Sequence, residues 1–233
     1  MPIVVITGAS QGLGAAIAEA FAAEPDVHLA LLARSEANLA QVAERCRVLG
    51  AQVQVFPCDV TDAEAVKRVA DAIRKIWGAA DVLVNNAGLF RPGAFLDTSL
   101  AEFEEQISVN LTSAFIVTQA FLPKMLAQKA GHVFFMASVA SIRAYVGGAS
   151  YCAAKHGLLG LARVVREECK PHGIRVTTLL PGATRTPSWD GVDVLDERLM
   201  HPQDVAQTLL AAWKLSGRAV MEEVILRPQL GDL

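Results

Sequence analysis

The segment Ser150–Gly157 reads SYCAAKHG and holds one of only two tyrosines in a chain of 233 residues, with a lysine four positions later. Residues at i and i+4 share one face of a helix, so Tyr151 and Lys155 point the same way. A phenol with a reference pKa of about 10 is a poor base near neutrality. A nearby ammonium favours the phenolate by about 1–3 units. A group tuned in this way suits proton transfer to or from a carbonyl or alcohol oxygen.

Further polar residues stand at positions that could serve such a reaction. Ser138 follows the apolar run HVFFMA, which puts its hydroxyl at a strand's carboxyl end, and Asn110 lies in the long helical pattern FEEQISVNLTSAFIVTQAF. Each has two readings. Ser138 either orients a substrate oxygen or caps a turn. Asn110 either anchors a water that relays protons to Lys155 or is a buried, satisfied amide. Beside a Tyr-x-x-x-Lys pair the catalytic reading is the one carried forward.

At the other end of the chain, an apolar run leads into TGASQGLG, Thr7 to Gly14. Gly8, Gly12 and Gly14, with Ser10 and Leu13 between them, let the backbone turn tightly and approach a pyrophosphate at the start of a helix. The spacing is G-x-x-x-G-x-G, not the commoner G-x-G-x-x-G. The next strand ends LLAR, with Ala33 where an acid would receive the ribose hydroxyls of NAD(H) and Arg34 beside it. A guanidinium can bind a 2′-phosphate bidentately, so NADP(H) is expected in preference to NAD(H).

The elements that must position these groups alternate along the chain. Short β-branched runs at Ile3–Ile6, His28–Leu32, Gln52–Phe56, Val82–Val84, His132–Met136, Arg175–Leu180 and Glu223–Leu226 predict strands. Helical patterns fill Leu13–Ala23, Glu36–Leu49, Ala63–Trp77, Leu100–Ala127, Ala149–Lys170 and Pro202–Leu215. The alternation predicts an α/β fold, a doubly wound parallel sheet of about seven strands with helices on both faces. No linker or repeat interrupts it, so one domain is expected over residues 1–233. Only 182–200 lacks periodicity. This stretch follows a strand's carboxyl end, and 183–200 is expected to form a substrate-binding loop or lid.

Composition narrows the function. The chain is 52% hydrophobic with a formal net charge of −3, so it has no basic field for nucleic acid or an acidic membrane. Its apolar runs are too short to span a bilayer. With the first strand pattern beginning near Met1, no leader is expected, and the expected location is cytoplasmic. The four cysteines and five histidines show no ligand spacing, so neither a disulfide framework nor a metal is expected.

The motifs occur in a fixed order: the glycine turn, NNAG at Asn85–Gly88, Asn110, Ser138, Tyr151-x-x-x-Lys155, and PGATRT at Pro181–Thr186. Across essentially the whole chain this set resembles the short-chain dehydrogenase/reductase family, with its single-domain Rossmann-type sheet. The resemblance implies hydride transfer between a nicotinamide and a carbonyl or secondary alcohol, with Tyr151 as acid/base and Lys155 also holding the nicotinamide ribose. It places Ser138 on the substrate oxygen and Asp59 on the adenine amino group, with Val60 beside the ring. Asn86, Ala87 and Gly88 would admit the adenosine side, whereas Asn85 reads as structural. Pro181 and Gly182 would shape the nicotinamide pocket, Thr184 would line it, and Thr186 would bind the carboxamide. Homodimers or homotetramers built on the two long helices are implied as well.

The tail EEVILRPQLGDL, the PGATRTPSWDGVD loop and Arg34 look like a narrower group of bacterial NADP-dependent carbonyl reductases that includes sepiapterin reductases. A pterin would need an acid for its guanidine-like edge, and Glu222, Asp190 or Asp232 could serve. Arg143, Tyr145 and Trp189, with Cys152 and Arg185, are candidates for substrate contact. Each also has an ordinary structural reading. A non-catalytic NADP(H)-binding sensor is the rival from another class, because fold alone does not establish activity.

Overall fold

The computed structural model describes residues 1–232. Its strands are β1 (Ile3–Thr7), β2 (His28–Ala33), β3 (Gln52–Pro57), β4 (Val82–Asn85), β5 (Gly131–Met136), β6 (Ile174–Pro181) and β7 (Glu223–Leu226). They form one parallel sheet in the order β3-β2-β1-β4-β5-β6-β7. The helices are α1 (Gly12–Ala22), α2 (Glu36–Val48), α3 (Ala63–Ile76), α4 (Leu100–Ile107), α5 (Ser113–Gln128), α6 (Ala149–Cys169) and α7 (Pro202–Lys214). Among the described residues no helix is long and apolar enough to cross a membrane.

The two faces of the sheet bury separate cores. Val4, Ile6, Leu29 and Leu31 pack with Phe21, Leu39 and Leu209 on one side, whereas Val5, Ala30 and Leu32 pack with Ile73, Phe121 and Leu158 on the other. Successive strand residues point to opposite faces, so a sheet covered on both sides needs strands that are apolar throughout. The continuous runs in the sequence have this origin. Caps set the helix starts: Ser35 accepts from Asn38, Asp62 from Glu64 and Ala65, and Ser99 forms a capping box with Glu102.

The long helical pattern at Leu100–Ala127 is not one helix. A π-helical turn at Ser108–Thr112 separates α4 from α5, and the Ser113 N–H bonds the Ser108 carbonyl across it. Polar side chains sustain the wide turn. The Ser113 hydroxyl donates to the Val109 carbonyl at 2.7 Å, while the buried Asn110 amide bonds outside its own segment. Hydrophobic periodicity cannot register one extra residue in a turn, which is why the break is absent from the pattern.

The connections on either side of β1 and β4 run in opposite directions, and a crevice opens at their carboxyl ends. There the chain makes a tight junction. Thr7 Oγ1 accepts from the backbone N–H groups of Asn86 and Ala87, and Asn86 Nδ2 donates to the carbonyls of Thr7 and Gly8. Gly8 has φ +64, and a Cβ on Gly14 would lie 2.2 Å from the Gly8 carbonyl oxygen. The start of α1 rests directly on the turn.

Two outcomes follow for stability. Gly14→Ala must push α1 away from the turn, and urea unfolding should show a loss of about 1–3 kcal/mol; an unchanged midpoint would mean the contact relaxes freely. On β5, His132 is buried against Thr177 Oγ1 at 2.7 Å, and burial pushes its pKa down to about 3. Above about pH 6.5 the imidazole is neutral in both folded and unfolded chains. Below it, the unfolded chain takes up a proton the native one refuses, so stability should fall by up to about 1.4 kcal/mol per pH unit until the native group also titrates. His132→Gln should flatten that slope.

Candidate active site

A cleft of about 750 Å³ runs along the carboxyl ends of the strands. It lies within the roughly 300–1,000 Å³ usual for ligand sites. The catalytic and cofactor-binding candidates, together with Arg143, Tyr145 and Trp189, all line it.

At one end stand Tyr151 and Lys155, on the first two turns of α6, with Ser138 just beyond β5. The lysine Nζ lies 5.5 Å from the centre of the Tyr151 ring and donates to the Met136 carbonyl at 2.8 Å. Burial pushes Tyr151 up to about 12, with Ser138 pulling the other way, and pushes Lys155 down to about 8. The expectation that the lysine draws the phenol below its ordinary value is thereby corrected. In the protein alone desolvation penalises both charged forms, and the ammonium is turned to a carbonyl rather than to the phenol. Ser138 Oγ caps the turn at Val139–Ser141 by accepting from Ala140 N–H, and the side chain also lies beside Tyr151 in the cleft.

Asn110 is 1% exposed, with its amide committed. Nδ2 donates to the carbonyls of Leu89 and Gln106, and Oδ1 accepts from Leu89 N–H. Both donors are used, as a buried amide requires, and Asn110 also lines the cleft. Asn85 is structural as expected, donating to Thr118 Oγ1. Asn86 spends its amide on the glycine turn.

At the opposite end, the turn faces Arg34 and Asp59. Both bonds from Thr61, its N–H and its hydroxyl, use Asp59 Oδ1, and with a smaller contribution from Arg34 they hold the carboxyl below its ordinary range. Oδ2 remains available to a donor. Ser35 and Asn38, at the start of α2, line the cleft beside Arg34. The sequence reading passed over them; the signal was the Ser-x-x-Asn spacing directly after the arginine. Thr186, within the 183–200 segment, packs against the turn, where a Cβ on Gly12 would meet its methyl at 3.4 Å. Thr184 Oγ1 donates to the Gly182 carbonyl.

Beyond Tyr151 the cleft is lined by Phe90, Tyr145, Arg143, Trp189 and Asp232. Asp232 Oδ2 accepts from Arg143 at 2.6 Å and lies 3.2 Å from Arg227, whereas its Oδ1 is buried with no hydrogen-bond partner. Of the three acids considered for a pterin, only Asp232 is in the cleft. Glu222 pairs with Arg166, and Asp190 lines a separate shallow hollow. Cys152 is buried with its thiol toward the Arg143 carbonyl, and Arg185 pairs with Asp196, so neither lines the cleft. Phe90 was missed. A single aromatic after NNAG carries no periodic signal, and its place depends on a loop.

Residues 2–193 match the short chain dehydrogenase family. The chain is 37% identical over 238 residues to a sepiapterin reductase of Chlorobaculum tepidum, covering 99% of this chain and 98% of that one. It is 34% identical over 215 residues to a D-threitol dehydrogenase of Mycolicibacterium smegmatis, covering 88% and 82%. Among solved structures it resembles an alcohol dehydrogenase of the archaeon Thermococcus sibiricus complexed with 5-hydroxy-NADP, with a TM-score of 0.92, 32% identity and coverage of 100% and 99%. A metagenomic short-chain oxidoreductase in complex with NADP aligns with a TM-score of 0.87 at 31% identity, covering 98% and 97%. Together with the seven-stranded sheet and its cleft, these matches make the chain a member of the short-chain dehydrogenase family of oxidoreductases.

Proposed function

We propose that the chain is an NADP(H)-dependent carbonyl reductase, acting reversibly on the corresponding secondary alcohol, with Tyr151 as the proton-transferring group. The observation that carries this reading is the convergence of Tyr151, Lys155 and Ser138 at one end of a cleft whose other end is the glycine turn. The residues fit a dinucleotide: the turn offers backbone in close reach, Asp59 keeps an acceptor, and Arg34, Ser35 and Asn38 cluster where a 2′-phosphate would lie. Similar proteins are described with NADP or 5-hydroxy-NADP bound. A nicotinamide bound there would supply or accept the hydride. Ser138 would hold the substrate oxygen, Tyr151 would give it a proton, and Lys155 would stabilise the phenolate left behind. Asn110 would hold the loop after β4 and anchor a water that relays protons to Lys155. Residues 183–200 would form the substrate loop.

A pterin side-chain carbonyl is the narrower reading, favoured by the sepiapterin reductase relative and by the partnerless Oδ1 of Asp232 in the cleft. A homo-oligomer built on α4–α5 and α6 would cover the exposed Leu100, Phe115 and Val164. Four free, buried cysteines suit a reducing, cytoplasmic setting.

Titration of NADPH fluorescence and turnover of sepiapterin, diketones and β-keto esters test this directly. Tyr151→Phe should cut turnover by at least about 100-fold while leaving NADPH affinity little changed. Full activity in that variant would remove Tyr151 from the chemistry, and tight NADPH binding with no turnover on any substrate would favour a sensor. Because burial lowers Lys155 to about 8, its ammonium is present below that pH, and kcat/KM for reduction should decline as pH rises through it. Arg34→Ala should weaken NADPH by about 10–100-fold and leave NADH unaffected. Equal losses for both cofactors would refute the assignment of the 2′-phosphate to this arginine.

A further inference from the structure

Two buried amides on one helical face grip the backbone of the loop that follows β4. Gln106, 3% exposed, accepts from the Arg91 N–H through Oε1 at 3.2 Å and donates from Nε2 to the Arg91 carbonyl at 3.0 Å. Asn110 does the same to Leu89, accepting its N–H at 3.1 Å and donating to its carbonyl at 2.7 Å. Four residues along a helix rise about 6 Å, and two residues of extended chain advance about 6.6 Å. The two carboxamides are therefore spaced to mimic a strand edge for residues 89 and 91. The Asn110 amide also donates to the Gln106 carbonyl, which ties the two turns together.

Phe90 lies between the two gripped residues. Its ring meets Tyr151 edge-on, with centroids 5.0 Å apart and planes at 70°, and meets Tyr145 at 6.4 Å and 61°. Phe90 lines the cleft and is exposed at 36%, with no core of its own to hold it. Its position follows from its backbone, and its backbone is held by Gln106 and Asn110.

We propose that Gln106 is a positioning residue: paired with Asn110, it holds Leu89 and Arg91 so that Phe90 forms the apolar wall against Tyr151 on the substrate side. The wall excludes water from the phenol and sets the surface against which a substrate's substituent rests. Its meaning for catalysis depends on the proton-transfer role proposed for Tyr151, but its geometry can be tested without a substrate.

The chain's two tyrosines make the test direct. Protein made with meta-fluorotyrosine should give two fluorine resonances, assigned by their loss in Tyr145→Phe and Tyr151→Phe. Phe90→Ala should move the Tyr151 resonance and lower its titration midpoint, because water then reaches the phenol. Gln106→Leu should move both in the same direction, and adding it to Phe90→Ala should change nothing more. Gln106→Glu keeps an acceptor for the Arg91 N–H but loses the donor to its carbonyl, and should give a smaller shift of the same sign; it serves if the leucine variant does not fold. A Tyr151 resonance unmoved by Phe90→Ala, or additive shifts in the double variant, would overturn the inference. Because these readouts need no turnover, they stand or fall separately from the loss of activity in Tyr151→Phe.

Discussion

The site hangs on a close approach of three pieces of backbone where β1 and β4 end. One threonine hydroxyl and one asparagine amide hold them. Thr7 Oγ1 receives two N–H groups from the β4 side, and Asn86 Nδ2 returns hydrogen bonds to the carbonyls of Thr7 and Gly8. At this spacing no Cβ fits on Gly8 or Gly14 without displacing backbone. The cleft's dinucleotide end is thus pinned to the sheet's centre, where close packing between neighbouring strands leaves little room to shift. A ligand that must meet both Arg34 and Lys155 needs such a fixed span.

Electrostatics at the catalytic end are governed by burial. Tyr151 and Lys155 share a helix face, yet desolvation raises one and lowers the other, drawing both toward their neutral forms. The Met136 carbonyl takes the ammonium's hydrogen bond. In such a setting a charge added to the cleft would act through a low dielectric and would be felt strongly. The pair is poised rather than preset, and a bound cationic ring is the kind of partner that would favour the phenolate.

The loops above the strands are organised by polar groups reaching across from other elements. Gln106 and Asn110 hold the loop after β4, Gly93 pairs with the loop after β5, and Asp232 near the chain's end gathers Arg143 and Arg227. Each brings a residue distant in sequence to the substrate side. Aromatic groups there come from loops instead of from the core, with Phe90 facing Tyr151 and Tyr145 meeting Phe90. Variation in these loops can change the substrate without disturbing the sheet.

The sequence by itself determined the sheet, the helices and the polar groups that can do chemistry. Strands buried on both faces must be continuous apolar runs. A glycine turn and a Tyr-x-x-x-Lys pair are local arrangements whose geometry follows from spacing alone. Arg34, next to the acid-free Ala33, stood out by position, and the structure places it in the cleft. Tertiary structure decided what depends on contact between distant segments. The π-turn at Asn110, the hold of its amide on Leu89, the presence of Asp232 rather than Glu222 or Asp190 in the cleft, and the placing of Phe90 each depend on tertiary contacts. So did the pKa values, since local spacing supplies the neighbouring charge but not the depth of burial, and here burial was the larger effect.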